Sequence, residues 1–184
     1  LSEGFITTNY TYIGSEITWP IYNQGTIGKA KEDLQRAAQA ISQKSLEKKG
    51  NAYLAVMKGL VTQAASAIPG MSVYLSLLFR IMKDKNLHEG CVEQAFRLFS
   101  EELYSGAEIN LDQSGRIRLD DYELLEEIQD YVSENWAKFN TDTMDRIADF
   151  EGYRRDFMQI YGFDFEDVDY EKDVSPESEM TLYS

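Results

Sequence analysis

Short runs of β-branched and aromatic residues alternate with longer stretches in which apolar positions repeat at helical spacing. Residues 5–13, FITTNYTYI, predict a strand, and residues 52–61, AYLAVMKGLV, predict a second, buried strand. Between them we expect a helix over about residues 26–47, with Thr26 as its N-cap and Gly50 after its last turn. A strand, a helix and a strand in this order predict a βαβ unit with parallel strands. Because two strands do not make a stable parallel sheet, we expect further strands beside them.

The helix between the two predicted strands carries one apolar face. At about 100° per residue, this face consists of Ile27, Ala30, Leu34, Ala37, Ala38 and Ile41. Lys31 falls at the edge of the face, whereas Lys29 points away from it. We therefore expect the stem of Lys31 to pack against the core while its ammonium reaches a neighbouring group.

The chain after residue 70 is predominantly helical. Residues 71–82, MSVYLSLLFRIM, are apolar on nearly every side, which predicts either a plain core helix or one wall of an acyl-binding cavity. Three apolar stripes predict further amphipathic helices: Val92, Ala95, Phe96, Phe99 and Leu103; Leu124, Leu125, Ile128, Val132 and Trp136; and Met144, Ile147, Ala148 and Phe157. From about Asp164 the sequence is acidic, and we expect its end to fray.

Composition and charge exclude several classes of function. The formal net charge is −14, so we expect no nucleic-acid partner, because phosphate neutralisation needs a surplus of Lys and Arg. No apolar run reaches about 18 residues, so we expect no membrane span. Cys91 is the only cysteine, which rules out an intramolecular disulfide and favours a reducing compartment. Because it lies next to the apolar Val92 stripe and has no paired base, we expect a small buried residue and not a nucleophile. His88, the only histidine, lacks a second ligand cluster, so we expect a structural role and no metal.

Residues 110–121, NLDQSGRIRLDD, partly match an EF-hand calcium loop. The residues at the first, third, fifth, sixth and twelfth positions are Asn110, Asp112, Ser114, Gly115 and Asp121. Against calcium, Arg116 and Arg118 place positive charge beside the cation. The other interpretation is a glycine turn, a short RIRL strand, and Asp120 or Asp121 as the N-cap of the next helix. A non-catalytic helical module that binds calcium or a protein is therefore the alternative function.

The densest grouping of candidate chemistry lies in residues 9–31. Three glycines and a proline punctuate this segment, so we expect Tyr22 on irregular backbone, where its side chain can face a ligand. An ammonium such as that of Lys31 lowers the pKa of a neighbouring phenol and strengthens its hydrogen bond to a developing oxyanion. The spacing of this pair also arises by chance, so a loop tyrosine and a surface lysine remain the alternative. Thr62, just past the second predicted strand, is a candidate ligand contact and equally a candidate helix N-cap, and the two roles do not exclude each other.

Several segments resemble the FabV-type trans-2-enoyl-CoA (or enoyl-ACP) reductases, an enlarged branch of the short-chain dehydrogenase/reductase superfamily. They are TYIGSEITWPIYNQGTIGKAKEDL, AYLAVMKGLVTQAASAIP, CVEQAFRLFSEELY, GRIRLDDYELLEEIQ, FEGYRRDFMQIYGFD and DVDYEKD, so the likeness covers nearly the whole chain. That family uses a tyrosine and a lysine separated by eight residues, and Tyr22 and Lys31 stand at these positions. Tyr12 matches a second tyrosine ten residues before the first.

The resemblance implies an α/β, predominantly helical fold. It divides the chain into the C-terminal βαβ part of a Rossmann-like parallel sheet over 1–70, an added helical region on the substrate side over 71–166, with Tyr74 and Leu75 among its residues, and an acidic tail over 167–184. The glycine-rich dinucleotide fingerprint of the family lies in an N-terminal half that this chain does not contain. We therefore expect a fragment that is inactive alone and has that half as a partner.

For the parent enzyme, the resemblance implies a cytoplasmic, monomeric, NADH-dependent oxidoreductase of fatty acid biosynthesis and lipid metabolism. Its substrate is a trans-2-enoyl thioester of CoA or acyl carrier protein. In the implied site, Tyr22 donates a hydrogen bond to the thioester oxygen and supplies a proton, and Tyr12 is a second donor. Lys31 binds the nicotinamide ribose and lowers the phenol pKa, Thr62 contacts the pyrophosphate, and the backbone near Leu60 meets the nicotinamide amide.

Overall fold

The structure, a computed structural model, describes residues 1–175 and has a three-stranded parallel sheet at its centre. The strands are β1 (Ile6–Thr11), β2 (Asn51–Val56) and β3 (Arg116–Arg118), in the order β1-β2-β3. Thr11 pairs with Val56 and Val56 pairs with Arg118, so the three carboxyl ends lie side by side. The predicted α/β class and the parallel pairing of the first two strands are confirmed. The second strand ends at Val56, five residues earlier than predicted.

Eight α-helices accompany the sheet within residues 1–175. They are α1 (Trp19–Tyr22), α2 (Thr26–Ser45), α3 (Gln63–Ser66), α4 (Met71–Asp84), α5 (Cys91–Arg97), α6 (Glu126–Trp136), α7 (Met144–Ile147) and α8 (Phe150–Ile160). A 3₁₀ turn at Leu46–Lys48 extends α2, and a π-helical segment at Leu98–Leu103 extends α5. No helix within residues 1–175 is long and apolar enough to cross a membrane. The division of the chain at residues 70 and 166 stays a prediction, and the predicted fraying falls on residues 176–184, outside the described part.

Helix α2 connects β1 to β2 and packs against β2. Its N-cap is Gly25, not Thr26, which is already the first helical residue. The hydroxyl of Ser42 fixes helix to strand, since it accepts from the Ala52 N–H and donates to the Ala52 carbonyl, both at 2.8 Å. The predicted apolar face is only half covered: Ala38 is buried, whereas Ile27 is 38% exposed. The uncovered half of this face borders the cavity described below.

Helix α4 is the centre of the larger core, as the core interpretation predicts. Its buried residues are Met71, Tyr74, Leu75, Ser76, Leu77, Leu78, Phe79, Ile81 and Met82. They pack against α6 and α8, where Ile128, Val132 and Tyr153 are buried. The second and third predicted stripes are confirmed in part, because Ile128, Val132, Ile147 and Ala148 are buried while Leu125 and Trp136 are exposed.

The apolar stripe predicted on α5 is wrong for most of its residues, since only Leu103, in the π-helical extension, is buried. Val92 and Phe96 are 76% and 69% exposed, and the buried side of the helix carries Gln94 and Arg97. These polar residues face inward because they bind backbone that follows the strands. Gln94 accepts from the Lys58 N–H at 3.1 Å, and both side chains donate to the carbonyl of Leu119. Hydrogen bonds to two loop segments therefore determine which face of α5 is buried.

Candidate active site

The candidate site lies where the three strands end. Tyr12 follows β1 directly, Lys58 and Gly59 follow β2 within three residues, and Glu123 lies five residues after β3. Because parallel strands end at one edge of a sheet, residues far apart in sequence meet here. This carboxyl edge is where open α/β sheets bind their ligands.

Tyr22 and Lys31 meet at this edge, as the sequence predicts. Tyr22, the last residue of α1, is 8% exposed, and the Lys31 ammonium lies 5.0 Å from the centroid of its ring. The end of α1 and the start of α2 approach closely because Gly28, near the start of α2, has no side chain. A Cβ there would lie 2.1 Å from the backbone oxygen of Asn23, so only glycine fits.

The ammonium of Lys31 is anchored to the end of β1. It donates to the carbonyl of Tyr12 and, at 3.2 Å, to the hydroxyl of Thr11. An ammonium has three donors, so one remains for a ligand once these two contacts are made. Burial lowers the pKa of Lys31 to about 8. Lys29 is exposed and paired with Glu32, as its position on the helix predicts.

The expectation that Lys31 lowers the phenol pKa of Tyr22 is wrong for this structure. Burial raises the pKa of Tyr22, and the negative charge of Glu123 raises it further. Tyr22 therefore stays protonated at neutral pH, which is the state required of a hydrogen-bond donor. Within residues 1–175, its hydroxyl makes no hydrogen bond and is available to a ligand.

Tyr12 packs edge-on against Tyr22, with the ring centroids 4.9 Å apart. Its hydroxyl donates to Oε1 of Glu123 at 2.8 Å, and the hydroxyl of Tyr74 donates to the same oxygen at 2.6 Å. The backbone N–H of Gly59 donates to the other carboxylate oxygen. Glu123 is completely buried, so these donors replace the water that an exposed carboxylate would bind.

Three residues of this network were missed by the sequence reasoning: Glu123, Lys58 and the hydroxyl of Tyr74. Lys58 is 1% exposed, donates to the carbonyl of Gly59 at 2.9 Å, and lies 5.0 Å from the ring centroid of Phe79. Burial lowers its pKa to about 8. Tyr74 and Leu75, which the resemblance places on the substrate side, are fully buried. A glutamate in an acidic segment and a lysine after a strand carry no periodic signal that distinguishes them from surface residues.

The residues that the resemblance implies as cofactor contacts line a cavity of about 830 Å³ together with the two tyrosines. Tyr12, Tyr22, Lys31, Leu60 and Thr62 all line it. Apolar side chains from α2, from α3 and from the residues that follow α3 form much of the remaining wall. Thr62 is the N-cap of α3, since its hydroxyl accepts from the Ala65 N–H at 3.1 Å, which confirms the capping interpretation.

Tyr22 and Lys31 also border a second, more polar cavity of about 690 Å³. Its lining includes Ser15 and Gln129, whose side chains both donate to the hydroxyl of Tyr74, at 3.1 and 3.3 Å. The Tyr22–Lys31 pair therefore lies between two cavities. One is largely apolar and the other is lined by polar groups of the loop before α1 and of α6.

The calcium interpretation of residues 110–121 has no support in the structure. Asp112 has both carboxylate oxygens in use, because Oδ1 accepts from the N–H groups of Ser114 and Arg116 and Oδ2 accepts from the Arg116 side chain. The glycine turn and the short strand are confirmed, with Gly115 at φ +77° and β3 directly after it. The predicted aspartate cap is wrong, because the N-cap of α6 is Leu125.

The remaining candidates have structural positions. His88 packs edge-on against Phe79 at 4.4 Å between ring centroids, and burial lowers its pKa to about 4, so the imidazole is neutral. Cys91 is exposed, contrary to the buried position predicted for it, because it is the first residue of α5 and borders the larger cavity. Neither side chain belongs to a group of metal-ligating residues in the described part of the chain.

The fold and the site define an α/β protein with a tyrosine–lysine pair beside an open cavity at the carboxyl edge of its sheet. Residues 1–104 match the model of the trans-2-enoyl-CoA reductase catalytic region, and residues 111–174 match that of the enoyl reductase FAD binding domain. The chain belongs to the trans-2-enoyl-CoA reductase family.

Relatives of known name support this membership. The chain is 49% identical to the enoyl-[acyl-carrier-protein] reductase [NADH] of Serratia proteamaculans, covering 96% of this chain and 44% of that one. It is 48% identical to the trans-2-enoyl-CoA reductase [NADH] of Ruminiclostridium cellulolyticum, covering 96% and 45%. The trans-2-enoyl-CoA reductase of Clostridium acetobutulicum in complex with NAD superimposes with a TM-score of 0.90 at 41% identity, covering 95% and 46%. The chain thus spans less than half the length of these relatives.

At β3 and at the N-terminus of α6, residues 111–174 do not fit the flavin that the second family model names. An ADP moiety needs donors for its pyrophosphate, which a helix N-terminus or free arginines supply. Helix α6 instead begins with Glu126 and Glu127, whose charges repel an anion. Arg116 and Arg118 are already paired with aspartates at 2.8 and 2.7 Å. A flavin therefore takes no part in the reaction assigned to these residues.

Proposed function

We propose that this chain is the C-terminal part of an NADH-dependent reductase of trans-2-enoyl thioesters, an enzyme of fatty acid metabolism. The observation that carries the proposal is the approach of Tyr22 and Lys31 to 5.0 Å, ammonium to ring centroid, beside a cavity that also exposes Thr62. Relatives named as NADH-dependent enoyl-CoA or enoyl-ACP reductases support the reaction class.

The rest of the polypeptide, in this proposal, completes a Rossmann-like sheet of the short-chain dehydrogenase/reductase type. A parallel sheet is stable when further strands and helices cover its edges and faces, and three strands are few for this architecture. The uncovered apolar residues Ile27 and Tyr10, which are 38% and 55% exposed, lie on the side of the larger cavity and support this arrangement. The chain by itself is then inactive. A cytoplasmic, monomeric enzyme is part of the same proposal.

The protein holds the thioester so that charge develops beside Tyr22. NADH, when bound, supplies the hydride for the β-carbon of the substrate. As the carbon–carbon double bond is reduced, an electron pair moves to the thioester oxygen and forms an enolate. Tyr22 donates a hydrogen bond to this oxygen and supplies the proton that then adds to the α-carbon, after which its phenolate takes up a proton from water. Preorganised donors to an oxyanion are typically worth about 3 kcal/mol each.

The cofactor contacts are assigned by chemistry and position. Lys31 has one free donor and a positive charge, which suit the hydroxyls of the nicotinamide ribose. Thr62 accepts the Ala65 N–H but keeps its own hydroxyl proton for the pyrophosphate. The backbone at Leu60, which follows β2 and lines the cavity, would meet the nicotinamide amide.

The test uses the full-length polypeptide with NADH and a short trans-2-enoyl-CoA. We expect oxidation of NADH, followed by its absorbance, with the saturated acyl-CoA as the product, and no oxidation when that saturated thioester is added as a control. Parallel assays with the acyl carrier protein thioester decide which carrier is preferred. The isolated 184-residue chain should oxidise no NADH. A full-length protein that leaves both enoyl thioesters unchanged would refute the proposal.

A further inference from the structure

A buried carboxylate lies beneath the Tyr12–Tyr22 pair. Glu123 is in the loop between β3 and α6 and is completely buried. Three donors from three different segments converge on it: the hydroxyls of Tyr12 and Tyr74, at 2.8 and 2.6 Å, and the Gly59 N–H. The carboxylate therefore connects the ends of β1 and β2 to α4.

This arrangement decides where the proton of Tyr12 points. A phenol has one proton, and in Tyr12 that proton is donated to Glu123. Burial and the neighbouring carboxylate raise the pKa of Tyr12 well above its ordinary value, so the phenol keeps this proton. Tyr12 lines the larger cavity, but its one hydroxyl proton is directed to Glu123. Tyr22, in contrast, has a hydroxyl without a partner among residues 1–175.

We propose that Glu123 is a positioning residue that holds the proton of Tyr12 away from the substrate, so that Tyr22 is the phenol that donates to the thioester oxygen. This inference rests on the proposed function. It replaces the expectation that Tyr12 is a second donor. Tyr12 instead orients the Tyr22 ring through the edge-on contact at 4.9 Å and binds the Lys31 ammonium through its carbonyl.

Glu123→Gln tests this assignment because the amide has one acceptor and one donor end. The Gly59 N–H can only donate, so the amide oxygen must face Gly59. The amide nitrogen then faces the hydroxyls of Tyr12 and Tyr74 and donates to them. Tyr12 can no longer give its proton to residue 123, and the proton turns toward the cavity. The substitution thus creates a second phenolic donor beside Tyr22.

The experiment compares steady-state kinetics of full-length variants with NADH and a trans-2-enoyl-CoA. We expect Tyr22→Phe to lower kcat about a hundredfold. Tyr12→Phe should lower kcat less than about tenfold, since it removes only the hydroxyl that anchors the Tyr12 ring to Glu123. In the double variant Tyr22→Phe/Glu123→Gln, kcat should recover at least about tenfold over Tyr22→Phe. Tyr22→Phe/Glu127→Gln, the same change at an exposed position, should recover nothing.

The outcomes separate the inference from the proposed function. If the wild-type protein oxidises no NADH with the enoyl thioester, the proposed function and the inference are both refuted. If it does, and Tyr12→Phe loses as much of kcat as Tyr22→Phe, the inference alone is overturned. That comparison stands even if the double variant does not fold. A folded double variant with normal NADH affinity and no recovery of kcat also overturns the inference.

Discussion

The ammonium of Lys31 lies 5.0 Å from the centroid of the Tyr22 ring and donates to the carbonyl of Tyr12. A lysine near the start of one helix thus touches both the last residue of the preceding helix and the residue after β1. The contact fixes the ammonium at the carboxyl edge of the sheet, beside both cavities.

Lys31→Met in the full-length protein should weaken NADH binding about ten- to a hundredfold. A hydrogen bond from a charged group contributes roughly 1.5–3 kcal/mol, and methionine keeps the apolar stem while removing the ammonium. The dissociation constant of NADH, measured by fluorescence titration, checks this. Lys29→Met is the matched control, because Lys29 is exposed on the same helix and pairs with Glu32. Equal dissociation constants for the two variants would show that the ammonium of Lys31 does not contact the cofactor.

Gly28→Ala should destabilise the protein and displace Tyr22 from Lys31. The new Cβ would lie 2.1 Å from the backbone oxygen of Asn23, and overpacking of this kind costs about 1–3 kcal/mol. Gly25→Ala is the control, because the nearest atom there would be 3.6 Å away. Urea unfolding should show a clear decrease in the free energy of unfolding for Gly28→Ala and a change below about 1 kcal/mol for Gly25→Ala. Equal stability of the two would mean that the close approach at Gly28 is not required.

Tyr74→Phe should lower the free energy of unfolding by about 1–3 kcal/mol. The substitution removes one of the donors to the buried Glu123 carboxylate, and a buried charged acceptor that loses a donor has no water to replace it. Tyr104→Phe makes the same chemical change at a side chain that is 65% exposed and should alter stability by less than about 0.5 kcal/mol. If urea unfolding gives Tyr74→Phe the same free energy of unfolding as Tyr104→Phe, the account of the buried carboxylate is contradicted.

Loss of the Lys58 proton in the folded protein should make the free energy of unfolding rise with pH above about 8. Burial lowers its pKa to about 8 in the folded protein from an ordinary value of 10.5, although the carboxylates of Glu123, Glu89 and Asp156 act in the opposite direction. Above about pH 8 the unfolded chain binds the proton that the folded protein has lost, so the free energy of unfolding increases with pH.

The change should be roughly 1 kcal/mol per pH unit, because one proton is exchanged. The stability difference between wild type and Lys58→Met, measured by urea unfolding from about pH 7 to 9.5, should therefore grow in favour of wild type above about pH 8. A difference that stays constant across this range would show that the Lys58 pKa is not lowered.

The sequence predicts the elements whose own residues determine them. The β-branched runs at β1 and β2, the apolar face of α2 and the nearly all-apolar α4 each carry a local signal. The approach of Tyr22 to Lys31 is predictable too, because both belong to one continuous segment of strand, loop and helix. The resemblance to a family with the same tyrosine–lysine spacing strengthens that prediction.

The remaining features depend on partners that are distant in sequence. β3 is only three residues long and contains two arginines, so its place in the sheet follows from pairing with β2 and not from its own composition. The burial of Gln94 and Arg97 follows from their hydrogen bonds to loop backbone. Glu123 is held in place because hydrogen-bond donors from three segments converge on its carboxylate. Periodicity records which positions are apolar, and it contains no information on such convergent polar contacts.

The central claim is that Tyr22 donates to the oxygen on which charge develops. Its most direct test is the kcat of Tyr22→Phe in the full-length protein with NADH and a trans-2-enoyl-CoA, with Tyr104→Phe as the matched control. We predict a loss of about a hundredfold or more in kcat, an almost unchanged dissociation constant for NADH, and normal activity of the control. A Tyr22→Phe variant that turns over at a rate close to wild type would contradict the account.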